Sequence, residues 1–196
     1  LTAEESLSLF VDSIPPKILK TQSGKNKATN GSDFSVKYTE INPLTAILFF
    51  NPNISLQNCT SGTNQLCSTE ANLSEFNNQY INYYFEISDG INTVQSKTTR
   101  VFVDTTSPAL TLYSPQDLIY ENRVPFNMTV SENVKLEYYD NSVSRPKWKS
   151  LCSTCVDYGF SSEKTKRFSD GYHNVTIRAL DKAGNSDKKQ VSFAVE

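Results

Sequence analysis

Residues 168–195 read FSDGYHNVTIRALDKAGNSDKKQVSFAV. Val175, Ile177 and Ala179 alternate with Asn174, Thr176 and Arg178. A period of two sends successive side chains to opposite faces of an extended chain, so the first trio predicts a core row and the second a solvent row. Asp181-Lys-Ala-Gly-Asn185 is turn chemistry: Asp and Asn bond nearby backbone, and Gly allows positive φ. A second alternation follows, with Val191, Phe193 and Val195 on one side. The stretch predicts strand, turn, strand.

The pattern recurs upstream at a fixed distance of 92 residues. Tyr83, Phe85 and Ile87 alternate with Asn82, Tyr84 and Glu86, aligned with the row above. Val11-Asp12 aligns with Val103-Asp104, and Pro16 with Pro108. Phe34-Ser35-Val36 meets Phe126-Asn127-Met128, Glu40 meets Glu132, Phe76 meets Phe168 and Asp89 meets Asp181. Matches spread over the whole period mark an internal repeat. The middle of the period does not align without gaps, as expected of a variable loop on a constant frame. No stretch of a dozen residues keeps an apolar 3.6 period, although AEESL and EANLSEF could form a turn of helix. Many short strands in about 90 residues is the pattern of a β-sandwich.

Three closing strands are legible: Leu7, Leu9 and Val11; Thr99, Val101 and Val103; Val191, Phe193 and Val195. The predicted organisation is an orphan strand over 1–13, a first sandwich over 14–105 and a second over 106–196. The orphan would be the last strand of a preceding unit, cut from a longer array. Alternatively, Leu7, Leu9 and Val11 would be donated to a neighbouring subunit, or would extend the first sandwich's own edge.

Residues 168–195 closely resemble the last strands of immunoglobulin-like repeats on prokaryotic, archaeal-type surface proteins. The matching positions are Phe168, Asp170, Gly171, His173, Val175, Ile177, Ala179, Asp181, Ala183, Gly184 and Asn185. The first unit is degenerate there, with FNNQYINYYFEISDGINTV, but leaves through a well-matched VFVDTTSP. The resemblance implies tandem immunoglobulin-like sandwiches in an extracellular, cell-surface setting. It implies no activity.

Composition is consistent with that setting. A net charge of −2 with pI near 5.5 gives no footprint for nucleic acid. No run has the apolar length of a membrane span, and no basic region followed by an apolar one opens the chain. His173 is the one histidine, so a Ser-His-acid or Cys-His site has a single possible base. Its counterpart is Ile81, which points to a structural role, and the reading assigns no catalytic residue, no cofactor and no enzyme.

The cysteines come as Cys59-x7-Cys67 and Cys152-x2-Cys155, one pair per unit. A four-thiolate zinc site would have to join two domains, and a redox dithiol lacks its βαβ surroundings. In a surface protein an even count favours a local disulfide in each unit, Cys59–Cys67 and Cys152–Cys155, each lying in a loop. Six Asn-x-Ser/Thr sequons are candidate glycosylation sites: Asn30, Asn53, Asn58, Asn72, Asn127 and Asn174. Calcium needs several carboxylates converging on one point. Asp12 and Asp104 could join such a site, but dense acidic clusters are missing from the sequence, so no metal is assigned.

The function expected is a structural building block of a stalk, surface layer (S-layer) or filament. Its partners would be other copies of itself or further immunoglobulin-like domains. The alternative is an adhesive module contacting a glycan or protein through the cysteine-bearing loops, with Tyr84, Tyr138, Tyr139 and Trp148 as the aromatics to test.

Overall fold

The computed structural model describes residues 12–23, 27–42 and 45–196. Leu7, Leu9 and Val11 therefore lie outside the described residues. The chain divides into two compact units, one containing Gly31–Val103 and one containing Asp104–Glu196. Among the described residues before Gly31, 12–23 and Lys27 group with the first, and Ala28–Asn30 with the second.

The first unit runs β1 (Lys17–Ser23), β3 (Phe34–Glu40), β4 (Thr45–Phe49), β5 (Ile54–Ser55), β6 (Gly62–Thr69), β7 (Tyr80–Ser88), β8 (Thr93–Gln95) and β9 (Thr99–Val103); the short β2 (Ala28–Thr29), between β1 and β3 in the chain, groups with the second unit. A 3-10 turn at Ser74–Phe76 falls inside EANLSEF. One sheet has the order β1-β3-β6. The facing sheet carries β9-β7-β4-β5, with β8 also on β7. Alternation does what the sequence predicts: Tyr83, Phe85 and Ile87 of β7 are buried, as are Phe34, Val36 and Tyr38 of β3. Burying each such side chain contributes roughly 1.5–3 kcal/mol.

The second unit runs β10 (Leu110–Ser114), β11 (Ile119–Tyr120), β12 (Arg123–Pro125), β13 (Asn127–Asp140), β14 (Lys149–Tyr158), β15 (Thr165–Arg167), β16 (Gly171–Leu180) and β17 (Ser186–Val195). Its main sheet has the order β10-β13-β16-β17-β11, with β14 also on β13 and β12 paired to β15. Val175, Ile177, Ala179, Phe193 and Val195 are buried. Both units are all-β sandwiches, as the period-two reading expects, and immunoglobulin-like, as the resemblance implies.

Register explains why the middle of the repeat resists alignment. In the first unit Ala46 faces Ile87 and Leu48 faces Phe85. In the second, Leu136 faces Ala179 and Tyr138 faces Ile177. The partners on β7 and β16 are 92 apart, but the residues facing them are only 90 apart. The connection before this strand segment is two residues shorter in the second unit. There the equivalents of β3 and β4 run on as the single long β13.

Candidate functional site

Three features recur in both units and are the candidates for function: a disulfide tie, a carboxylate triad and an outward sheet face.

Each unit holds its own disulfide, Cys59–Cys67 and Cys152–Cys155. The expectation of loop cysteines needs correction: Cys67 is a buried residue of β6, and Cys152 and Cys155 both lie within β14. The cause is the way the chain crosses between strand segments. Cys59 follows β5, which belongs to the sheet of β4, while Cys67 pairs with Val36 of β3 in the opposite sheet. In the second unit Leu136 faces Cys152 and Val134 faces Cys155. Three residues of β13 (134–136) thus span four of β14 (152–155), which is a β-bulge, and the disulfide closes it. The two units are thus tied by different geometries: one disulfide links the segment after β5 to β6, and the other closes within β14.

The acidic positions converge, contrary to the sequence reading. Carboxylate oxygens of Asp12, Glu40 and Asp89 lie within 4.8 Å of one another, and so do those of Asp104, Glu132 and Asp181. Every member of one triad is 92 residues from a member of the other. Asp12 Oδ1 accepts from Ile14 N–H at 2.9 Å, and Asp104 Oδ1 from Thr106 N–H at 3.1 Å. Asp181 Oδ1 accepts from the N–H groups of Gly184 and Asn185 at 2.7 and 2.8 Å. Asp89 does the same with Ile91 and Asn92. These bonds hold Asp89 below the ordinary carboxylate range, the Asn92 N–H contributing most. Burial, then the charges of Asp104 and Asp181, push Glu132 up. Three oxygen donors this close suit a hard divalent cation, with carbonyls or water completing its shell. The signal was present in the sequence as three aligned acids, and only the fold shows that they meet.

His173 sits at a corner of the second core. Its Nδ1 is 2.8 Å from Asp140 Oδ2, and its Nε2 is 2.8 Å from Ser169 O. Both groups of the His–Asp pair are buried. Phe168 packs on the ring at 5.0 Å. Both ring nitrogens are engaged by structural partners, which leaves neither directed at a substrate.

The outer face of the second sheet is clothed in aromatic and charged groups. Arg178 donates to Glu137 Oε2 at 2.6 Å, and Lys135 bonds the other oxygen. Burial opposes ionisation of Glu137, but these two cations prevail and hold its carboxyl below the ordinary range. The Arg178 guanidinium lies 4.0 Å over Trp148, which packs at 5.2 Å on Tyr139. Of the aromatics singled out, Tyr138 is core, and Tyr84 stacks on Phe49 at 4.8 Å. Tyr139 and Trp148 share a patch; Tyr84 lies in the other unit and does not join it.

The sequons divide by exposure. Asn53, Asn58 and Asn72 are exposed, whereas Asn30, Asn127 and Asn174 are half-buried. Among the described residues no helix is long and apolar enough to cross a membrane.

No protein-family profile matches the chain, and no curated protein matches it in sequence. Solved structures do. Fibronectin(III)-like modules of Clostridium thermocellum CbhA are 16% identical over 92% of this chain and 94% of theirs, with a TM-score of 0.48. The three N-terminal domains of the bacteriophage RB49 highly immunogenic outer capsid protein are 13% identical over 92% of this chain and 59% of theirs (TM-score 0.33). The N-terminal Ig1-2 module of the Drosophila receptor protein tyrosine phosphatase DLAR is 11% identical over 93% of this chain and all of its own (TM-score 0.32).

Proposed function

We propose that this chain is a non-catalytic structural segment of an exported cell-surface protein, serving as stalk, surface-layer or filament material. The observation that carries the reading is the repetition of frame elements at one spacing, the closing strand and the carboxylate triad, with one disulfide inside each unit. Groups for chemistry do not repeat; the one histidine is walled into a core corner. Two internal disulfides favour an oxidising compartment. Residues 1–13 are then the closing strand of a further unit, followed by domains over 14–105 and 106–196. Partners are further immunoglobulin-like domains or other copies of the chain. Ile14, Ile41 and Ile91, exposed beside the first triad, support such packing; their counterparts in the second unit are Thr106, Asn133 and the buried Ala183.

Protease treatment of intact cells, followed by immunoblotting, tests the setting. The protein should be cleaved from outside, and full protection until lysis would overturn the reading. Strand donation is the filament version of the same function. Deleting residues 1–12, or Leu9→Asp, should then abolish polymerisation and leave both sandwiches folded. The Trp148–Tyr139–Arg178 patch favours an adhesive module as a second reading. A glycan array probed with wild type and Trp148→Ala decides it, equal binding by both counting against.

A further inference from the structure

The six sequons are not equivalent acceptors, and the difference follows the two units. In N-glycosylation the side-chain amide nitrogen attacks the anomeric carbon of a lipid-phosphate-linked sugar. A C–N bond forms as the C–O bond to phosphate breaks; the lipid phosphate leaves with the electron pair and the amide gives up a proton. The transferase must grip the Asn amide and the hydroxyl two residues on, so both must be reachable.

At Asn174 both are already engaged. Its Nδ2 donates to Ser192 Oγ at 3.2 Å, and its Oδ1 accepts from Asn141 and Gln190 at 2.8 and 2.6 Å. The sequon hydroxyl, Thr176 Oγ1, accepts from Asn141 Nδ2 at 3.1 Å. The site lies inside β16, hydrogen-bonded on both edges. These contacts must break before any sugar is transferred. Asn127 lies within β13, its Oδ1 buried without a partner. The neighbouring chain at Gly159 comes so close that a Cβ there would stand 3.2 Å from the Asn127 Cα and 2.1 Å from the Phe126 carbonyl oxygen. Asn30 is half-buried and already engaged.

The first unit differs. Asn53, Asn58 and Asn72 are exposed and lie outside strands, before β5, after β5 and after β6. Their sequon residues Ser55, Thr60 and Ser74 are exposed as well. Asn72 already forms the turn in which its Oδ1 accepts from Ser74 N–H, at 3.1 Å.

We propose that the folded protein carries N-linked glycans at Asn53, Asn58 and Asn72 and none at Asn30, Asn127 or Asn174. The first unit is then the sugar-coated one, and the second keeps its outer sheet face bare. The inference rests on the exported setting, and its test separates the two. The folded, oxidised protein is incubated with a purified single-subunit oligosaccharyltransferase and a lipid-linked oligosaccharide, and glycopeptides are mapped by mass spectrometry. Glycan is expected at the three exposed sites, and Ser55→Ala, Thr60→Ala or Ser74→Ala should each remove one glycan mass. Reduction and unfolding should open Asn127 and Asn174 to modification. Modification of Asn127 or Asn174 in the folded protein, or its failure at the exposed three, overturns the assignment. Native protein bare at all six sites, with the in vitro ranking intact, overturns the exported setting instead.

Discussion

One corner of the sandwich is built in two chemically different ways. In the first unit Phe50 packs on Phe76 at 6.3 Å, and both line a hollow with Ile81. In the second the corresponding residues are Asp140, Phe168 and His173, and an apolar pair has become a buried hydrogen-bonded one. The frame is indifferent to which is used, because either satisfies every buried group at that corner. Half of each would leave a buried polar group without its partner. The same lesson appears across the paired strands, where Ala46 opposite Ile87 becomes Leu136 opposite Ala179. Bulk has moved from one strand to the other while the pair keeps its volume.

Single exchanges at the corner should therefore have the largest effect. His173→Ile or Asp140→Phe alone strands a buried partner and should destabilise the second unit by about 3–5 kcal/mol. The double variant, which recreates the first unit's corner, should recover most of that in chemical denaturation. Equal damage from single and double variants would break the comparison. Next come the volume swaps. Leu136→Ala should cost about 2–5 kcal/mol, and adding Ala179→Ile should restore part of it. A strictly additive or worse double variant would show that the two cores do not exchange volume in this way.

The ties come third. Replacing Cys59 and Cys67 with Ser removes a link of sequence separation 8, and the same change at Cys152 and Cys155 one of separation 3. Chain entropy gives about 2.5 and about 2 kcal/mol respectively, readable as separate shifts in thermal unfolding. The smallest effect is electrostatic. Because the native state raises Glu132, it holds an extra proton just above the ordinary carboxylate range. Stability of the second unit should fall as pH rises through that window. Glu132→Gln should flatten the fall and raise the thermal midpoint slightly at neutral pH. Asp187 and Glu137 act oppositely. Burial opposes ionisation of both, but the Leu110 and Lys188 N–H groups at Asp187, and Lys135 and Arg178 at Glu137, hold them low. Their contribution is present at neutral pH and is lost as pH falls through their depressed values.

Alternation made the sandwiches legible because each strand buries one face and exposes the other, so Val175, Ile177 and Ala179 announce themselves. The repeat was legible for the same reason: core rows and turn acids fall at one spacing. The triads were hidden because Asp12, Glu40 and Asp89 come from three separate segments, and only sheet pairing brings them together. The strand positions of Cys67, Cys152 and Cys155 were hidden by the two-residue change in connection length, which destroys simple alignment. Sequon patterns carry no burial, so Asn174 and Asn53 look alike until hydrogen bonds distinguish them.

Each of the two sandwiches is tied by a disulfide of its own, a link that an oxidising setting would preserve. Non-reducing peptide mapping of the native protein tests it most directly. The account predicts a Cys59–Cys67 link, a Cys152–Cys155 link and no free thiol. A bridge joining Cys59 or Cys67 to Cys152 or Cys155, or four reduced cysteines, would contradict it.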